Sequence, residues 1–175
     1  MKQQVNSDCK SAYCHLRHIH RIRRYLTTQA VKYLTQSLVI SQLDYCNVLY
    51  QSLPKHALLM FQRAQNAAAR VITKTPRRHH IAPILMELHW LPIERRCQYK
   101  ILLYTFKSLH GMAPNYISNM LQWYQPTCHL RSENYSSLVP PQISTVTYGN
   151  RTFPSQAALL WNALPLHLWN TSSII

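Results

Sequence analysis

The sequence predicts a mainly α-helical protein, a helical bundle that gives way to a short extended or hairpin segment near its C-terminal end. Three observations predict it. Only two glycines, Gly111 and Gly149, occur in 175 residues, so little interrupts long helices. Apolar residues recur every three or four positions through the first 125, the period of one buried helical face. Past Pro126 the texture changes to β-branched residues and paired prolines, "SSLVPPQISTVTYGNRTF", a composition that suits extended chain and turns. The expected organisation is a helical domain over 1–125 and an irregular C-terminal extension over 126–175. A hydrophobic content of 47% is enough to fill a core.

Taken in order, the first helix is expected over residues 7–25, with Ala12, Leu16, Ile19, Ile22 and Leu26 as its inner stripe. Arg17, Arg21 and Arg24 stand at i, i+4 and i+7, so they stack on one face. Thr27 or Thr28 can cap a second helix whose apolar positions are Val31, Leu34, Leu38 and Val39. Pro54 suits the first turn of a third helix. Its inner stripe is Leu58, Phe61, Gln65, Ala68 and Ile72, with polar Gln65 as the one blemish. Arg63, Arg70 and Lys74 share a flank that runs into the basic loop around Arg77 and Arg78, and Pro76 is expected to stop the helix.

"IAPILMELHWLPIERRCQYKILLYTFKSLHG" reads as a short helix, a break at Pro92 and a long helix ending at Gly111. Gly111 can take the left-handed conformation that closes a helix, and Lys107 and His110 complement the dipole there. Ile93, Cys97, Ile101, Tyr104 and the Leu102/Phe106/Leu109 row make this helix apolar over much of its circumference, the pattern of a central core helix. Pro114 opens a short helix through Leu121. A turn at Gly149-Asn150, between Tyr148 and Arg151, is expected to form a hairpin. A final helix, "SQAALLWNALP", packs Leu159, Leu160 and Trp161, and the chain ends on "NTSSII" without a clear closing element.

Charge narrows the function. Nineteen Lys and Arg face five acids, for a formal charge of +14. Between Asp44 and Glu87 there is no carboxylate side chain, while Lys55, Arg63, Arg70, Lys74, Arg77 and Arg78 fall in that interval. Such an imbalance favours a polyanionic partner. No apolar run approaches the ~20 residues of a spanning helix, so a membrane is not the expected partner. "MKQQVNSDCKSAY" lacks the apolar stretch of a signal peptide, which makes the sequons at Asn134, Asn150 and Asn170 chance matches. Five scattered cysteines (Cys9, Cys14, Cys46, Cys97 and Cys128) fit reduced thiols in the cytoplasm or nucleus.

Catalytic chemistry is not expected. Two-metal phosphoryl or nucleotidyl transfer needs carboxylates that hold ions ~4 Å apart. The five acids, Asp8, Asp44, Glu87, Glu94 and Glu133, are spread singly, and Pro92 separates Glu87 from Glu94. "CKSAYCHLRHIH" gathers Cys9, Cys14, His15, His18 and His20, but no Cys-x-x-Cys pair occurs and the flanking arginines repel a cation. Core cysteines with surface histidines are the better reading. No serine-hydrolase elbow and no phosphate-binding loop is present, and no cofactor is implied. Tyrosines and tryptophans in "HWLP", "QWYQP" and "LLWNALP" could stack on bases, though packing in the core explains them more simply.

One long stretch, "SQLDYCNVLYQSLPKHALLMFQRAQNAAARVITKTPRRHHIAPILMELHWLPIERRCQYKILLYTFKSLHGMAPNYI", resembles the region after the polymerase palm in non-LTR (LINE-type) retrotransposon reverse transcriptases. The jockey-like and chicken-repeat-like groups are nearest. "LDYCN", "FQRAQNAAAR", "LHWLP", "FKSLHGMAPNY" and the later "YGNRTF" and "WNALP" carry it, over about residues 8–165. The stretch "YQSLPKHALLMFQ" departs from the family in lacking its glycine before the Leu-Pro and its basic residues after. The resemblance implies the helical thumb and C-terminal region of such an RNA-directed DNA polymerase. The family's catalytic aspartates lie upstream on the palm, and its apurinic-type endonuclease lies further upstream, so catalysis is not expected of this chain. What it implies instead is a grip on the phosphate backbone of a template–primer duplex of RNA or DNA, with the upstream palm as a protein partner. Arg17, Arg21, Arg24, Arg63, Arg70, Lys74, Arg77 and Arg78 are the candidate binding residues. The alternative is a decayed or domesticated element copy that works as a protein-interaction module or has no selected function.

Overall fold

A computed structural model gives the fold and describes residues 2–125, 137–143, 145 and 149–165. The described chain is mainly helical, as the apolar periodicity predicts. The chain divides into two compact units, Met1–Cys97 and Gln98–Ile175. The division falls inside a helix, and the change in composition lies at 125/126.

In the first unit, α1 runs over Lys2–Ile22, starting earlier than its stripe suggests. Val5 and Cys9 extend the buried row of Ala12, Leu16 and Ile19, with alternating steps of four and three. Ile22, expected on that stripe, is 46% exposed, because the helix tightens there into a 3₁₀ turn at Arg23–Tyr25. Thr27 caps α2 (Thr28–Thr35), its hydroxyl accepting the Ala30 N–H at 3.3 Å.

The next turn is where the expected phase fails. Residues Gln36–Ile40 form a π-helical turn in which the Ser41 N–H reaches back to the Gln36 carbonyl. One extra residue in the turn rotates everything after it. Leu38, expected inside, is 39% exposed, while Val39, Ile40 and Leu43 are buried. The Ser37 hydroxyl donates to the carbonyls of Tyr33 and Leu34, and Ser41 Oγ donates to Ser37, which occupies carbonyls along the widened stretch. The short α3 (Ser41–Asp44) follows.

Pro54 sits just before α4 (Lys55–Thr73), extended, its carbonyl accepting the Ala57 N–H at 2.9 Å. α1 and α2 both pack on α4, which is the core helix of this unit. Both long helices bury alanines, Ala12 on α1 and Ala57, Ala64, Ala68 and Ala69 on α4, so their backbones can approach closely. Phe61 is fully buried and its ring lies 4.9 Å from that of Tyr50, whose hydroxyl donates to Asp8 at 3.3 Å. α4 ends before Pro76 is reached: Lys74 takes the left-handed conformation at φ 59° and closes it.

Gln65, the blemish in the α4 stripe, is buried with a purpose. α5 (Ala82–Glu87) closes through His89 at φ 54°, with the Trp90 N–H bonded back to Leu85. The chain then passes Leu91 and Pro92 into α6 (Ile93–Leu109). Gln65 Nε2 donates to the Leu91 carbonyl at 2.8 Å, and Gln62 Oε1 accepts the Ile93 N–H at 2.9 Å. Gln62 Nε2 donates to Gln65 Oε1 at 2.9 Å and so ties the two amides together. The backbone groups freed by the break find partners on α4. An ion pair between Arg96 and Asp44, 3.3 Å apart, adds a further tie.

α6 is therefore not one central core helix. Ile93 and Cys97 belong to the core of the first unit, while Leu102, Phe106 and Leu109 pack in the second around Leu138, Ala158 and Trp161. Tyr104, expected inside, is exposed beneath the Lys100 ammonium. Gly111, at φ 69°, ends α6 as expected: Met112 N–H reaches Lys107 at 2.8 Å and Gly111 N–H reaches Ser108 at 3.4 Å. α7 is only Asn115–Ser118, with two further turn bonds carrying the chain to Leu121.

Beyond it, one antiparallel bridge pairs Trp123 with Leu138 among the described residues. The expected turn at Gly149-Asn150 is different in kind: the Gly149 N–H bonds to the Thr145 carbonyl at 2.8 Å, the spacing of a helical turn. Tyr148, which was to flank that turn, lies outside the described residues. In α8 (Phe153–Asn162) Ala157, Ala158 and Trp161 are buried and Leu159 is 62% exposed, so the small residues face inward. Asn162 closes the arrangement by accepting the Leu138 N–H and donating to the Leu138 carbonyl, both at 2.9 Å. Cys128, Glu133, Asn134 and the final "NTSSII" lie outside the described residues.

Candidate nucleic-acid interface

The 3₁₀ turn after α1 and the last turn of α4 meet. Arg23 Nη2 donates to the Ile72 carbonyl at 2.5 Å, placing the C-terminal ends of the two helices together. A helix C-terminal end has carbonyls without partners inside the helix and carries the negative pole of a dipole, roughly half a charge. Cations are expected at such a junction, and the sequence supplies more than the dipoles require.

An open groove of about 650 Å³ runs along the junction. His20, Arg23 and Arg24 line it from the α1 side. Ala67, Arg70, Val71 and Lys74 line it from α4, and Thr75, Pro76 and Arg77 from the following loop. Five of these side chains carry full positive charge, and no carboxylate is among them. Four of the eight residues predicted from sequence, Arg24, Arg70, Lys74 and Arg77, are therefore brought to one place.

The other four stand outside the lining. Burial, followed by Cys9, raises the Tyr13 pKa, and the charges of Arg63 and Arg77 offset part of that rise. Arg78 is exposed in the loop. Arg17 and Arg21 are exposed on α1, but the expected row of three arginines is broken. Arg24 falls in the 3₁₀ turn, and its guanidinium lies over the Tyr25 ring at 4.7 Å.

Arg70 does not form a free ridge with Arg63 and Lys74. It is half-buried and donates from Nη2 to the carbonyls of His79, at 3.0 Å, and Arg77, at 3.5 Å. It straps the 75–80 loop back against α4. The expected ridge is thus a groove, one wall of which is held in place by Arg70.

Arg23 is the residue that sequence periodicity misses. It is half-buried, and burial holds its pKa below the usual arginine value. The run "RIRRY" is the available signal, since only two of its three arginines fit the exposed face. A second groove of about 500 Å³ shares Arg23, Lys74 and Thr75 with the first. It continues around the end of α4 past Thr28, Gln29 and Lys32, with Glu87 on its lining.

Other chemistry is accounted for elsewhere. Asp8 accepts from Tyr50 and Gln4, and Asp44 pairs with Arg96. Burial, followed by the neighbouring Asp8, pushes the Cys9 thiol up to about 11. Burial, followed by Asp44, pushes Cys97 to about 12, the opposite of what a nucleophile needs. Among the described residues no three His, Cys, Asp or Glu side chains stand where they could hold a metal ion, and no helix is long and apolar enough to cross a membrane. Comparison with protein-family models, curated proteins and solved structures finds no match to this chain.

Proposed function

We propose that this chain binds RNA or DNA through the phosphate backbone, without catalysis of its own, as the thumb-like part of a LINE-type reverse transcriptase. One observation carries the reading: Arg23, Arg24, Arg70, Lys74 and Arg77 converge from three segments on one groove whose lining contains no acid. Two helix-end dipoles offset about one charge of the five, so the groove keeps a strong positive potential. Phosphate is the chemistry that answers it. Guanidiniums donate in pairs to phosphate oxygens, and a lysine adds a compact charge. The family resemblance supports the template–primer as the partner, and the upstream palm as the protein against which the chain packs.

The experiment is a salt titration of binding to a labelled RNA–DNA hybrid by fluorescence anisotropy. Each neutralised phosphate contributes about 0.9 to the slope of log affinity on log salt. Four contacts give a drop of about 150-fold between 50 and 200 mM salt. Affinity that ignores salt would sink the proposal. It would favour the second reading, a protein-interaction module, for which the exposed Tyr33, Leu38, Tyr45 and Leu49 speak.

A further inference from the structure

Two features of the basic groove do not suit a duplex lying along a helix. The first is its shape. Arg70 is drawn into the loop, so the α4 flank offers no continuous row of free cations from Arg63 to Lys74. The charge is concentrated in a concavity of about 650 Å³. That volume lies in the range of pockets that take one small molecule, roughly 300–1,000 Å³. A duplex carries its phosphates on the outside of a stiff rod, and it meets a cleft of this size only at the rim. A single strand can turn and enter.

The second feature is an exposed aromatic next in sequence to the lining. Tyr25 is 74% exposed, and it follows Arg24 directly, a residue of the groove lining. The Arg24 guanidinium, 4.7 Å from the ring centroid, holds the phenol in place by a cation–π contact. With 74% of its surface exposed, the ring contributes little to the core. Beside a positive groove it is what a base stacks on, since every base presents a π face whatever its identity.

The surroundings continue the theme. Past Lys74 the second groove adds hydroxyl and amide groups at Thr28, Gln29 and Thr75, with Lys32 as a further cation and Glu87 as its one carboxylate. Neutral donors and acceptors suit sugars and base edges rather than phosphates. The track bends around the end of α4, which an unpaired strand can follow.

From these we infer that the groove takes an unpaired stretch of nucleic acid, with one base stacked on Tyr25 and its flanking phosphates on Arg24, Lys74 and Arg77. This rests on the proposed nucleic-acid function and narrows its ligand. The unpaired stretch can be a free strand or the template overhang beside a primer duplex, and the two sources share one chemistry.

The test uses the full chain and four labelled probes: a 12-nucleotide single-stranded RNA, the same sequence as DNA, a blunt duplex, and that duplex carrying a six-nucleotide overhang. The single strands and the overhang duplex should bind more tightly than the blunt duplex at equal salt. Tyr25→Ala should weaken binding to the unpaired probes by roughly 5- to 150-fold, the range expected for one stacked base, while the salt slope stays unchanged. Tyr25→Phe and Tyr25→Trp should restore affinity, and the emission of the Trp variant should quench on binding. Far-ultraviolet circular dichroism of each variant checks that the helices are intact. Equal affinity for blunt and unpaired probes, or loss in Tyr25→Ala that Phe does not rescue, overturns the inference. Lys74→Ala and Arg77→Ala that leave all binding unchanged also overturn it, whereas absence of binding to all four probes, or binding that ignores salt, means the nucleic-acid reading itself fails, a distinct outcome.

Discussion

Arg23 and Ile72 join the ends of two helices: the guanidinium donates to the carbonyl in the last turn of α4, 2.5 Å away. The contact does two things. It satisfies a carbonyl that α4 cannot pair for itself, and it fixes one wall of the basic groove against the other. Replacing Arg23 with Ala should lower stability by about 1–3 kcal/mol, the span for a charge-assisted bond lost at a half-buried site. Urea denaturation of the two proteins measures it. A loss below about 0.5 kcal/mol would mean water serves the Ile72 carbonyl equally well.

Gln65 offers a cleaner test of why a polar residue lies in an apolar stripe. It is fully buried, and its amide connects the Leu91 carbonyl to Gln62. Gln65→Leu suits the apolar surroundings but leaves the Leu91 carbonyl without a donor. It should destabilise by about 1–3 kcal/mol. An unchanged or raised urea midpoint would show that the loop around Pro92 re-pairs by itself.

These two residues mark where the sequence is legible and where it stops. The α1 stripe of Ala12, Leu16 and Ile19 was readable because a single regular helix imposes a single period. Leu38 falls outside the core because the π turn adds a residue, a step that a regular apolar period does not announce. Leu159 was misplaced for another reason: hydrophobicity ranks it above Ala157 and Ala158, but space in that contact admits the small side chains. The clustering of basic residues was visible as a charge run. That Arg70 is spent on two loop carbonyls was not, because the contact depends on a loop returning across nine residues.

Alkaline pH should destabilise the first unit in a defined window. Burial is the first cause of raised values at Cys9, to about 11, at Cys97, to about 12, and at Tyr50, to about 12; Asp8 adds to it at Cys9 and Tyr50, and Asp44 at Cys97. In each case the neutral, protonated form is favoured in the folded state. The folded protein therefore keeps protons that the unfolded chain releases, at 9.0 for the thiols and 10.0 for the phenol. Stability from these groups is fully present below pH 9 and is lost as pH rises towards 12, by up to about 1.4 kcal/mol per pH unit for each group. Urea midpoints from pH 7.5 to 10.5 should stay level and then fall, and Cys97→Ala should flatten the fall. A level curve to pH 10.5 would mean that the thiols are solvated.

The last prediction separates a shaped surface from net charge. Arg63, Arg77 and Arg78 are exposed, and Arg77 and Arg78 sit in a loop that Arg70 straps to α4. Arg77→Ala and Arg78→Ala should each weaken binding across sequences and, where the residue meets a phosphate, cut the salt slope by about 0.9. Arg70→Ala should act by a different route. It releases the carbonyls of Arg77 and His79, so the loop opens more often and tryptic cleavage after Arg77 and Arg78 should accelerate in the free protein. Arg63→Ala, which removes an equal charge without touching the loop, should leave cleavage at its original rate. Lys10→Ala and Lys55→Ala are the matched controls, both exposed and neither in the groove lining. Their binding should stay within about twofold of the parent, since exposed substitutions away from a site cost little. Equal losses from the controls and from Arg77 and Arg78 would show that overall positive charge does the binding, and the groove would lose its claim to be a site.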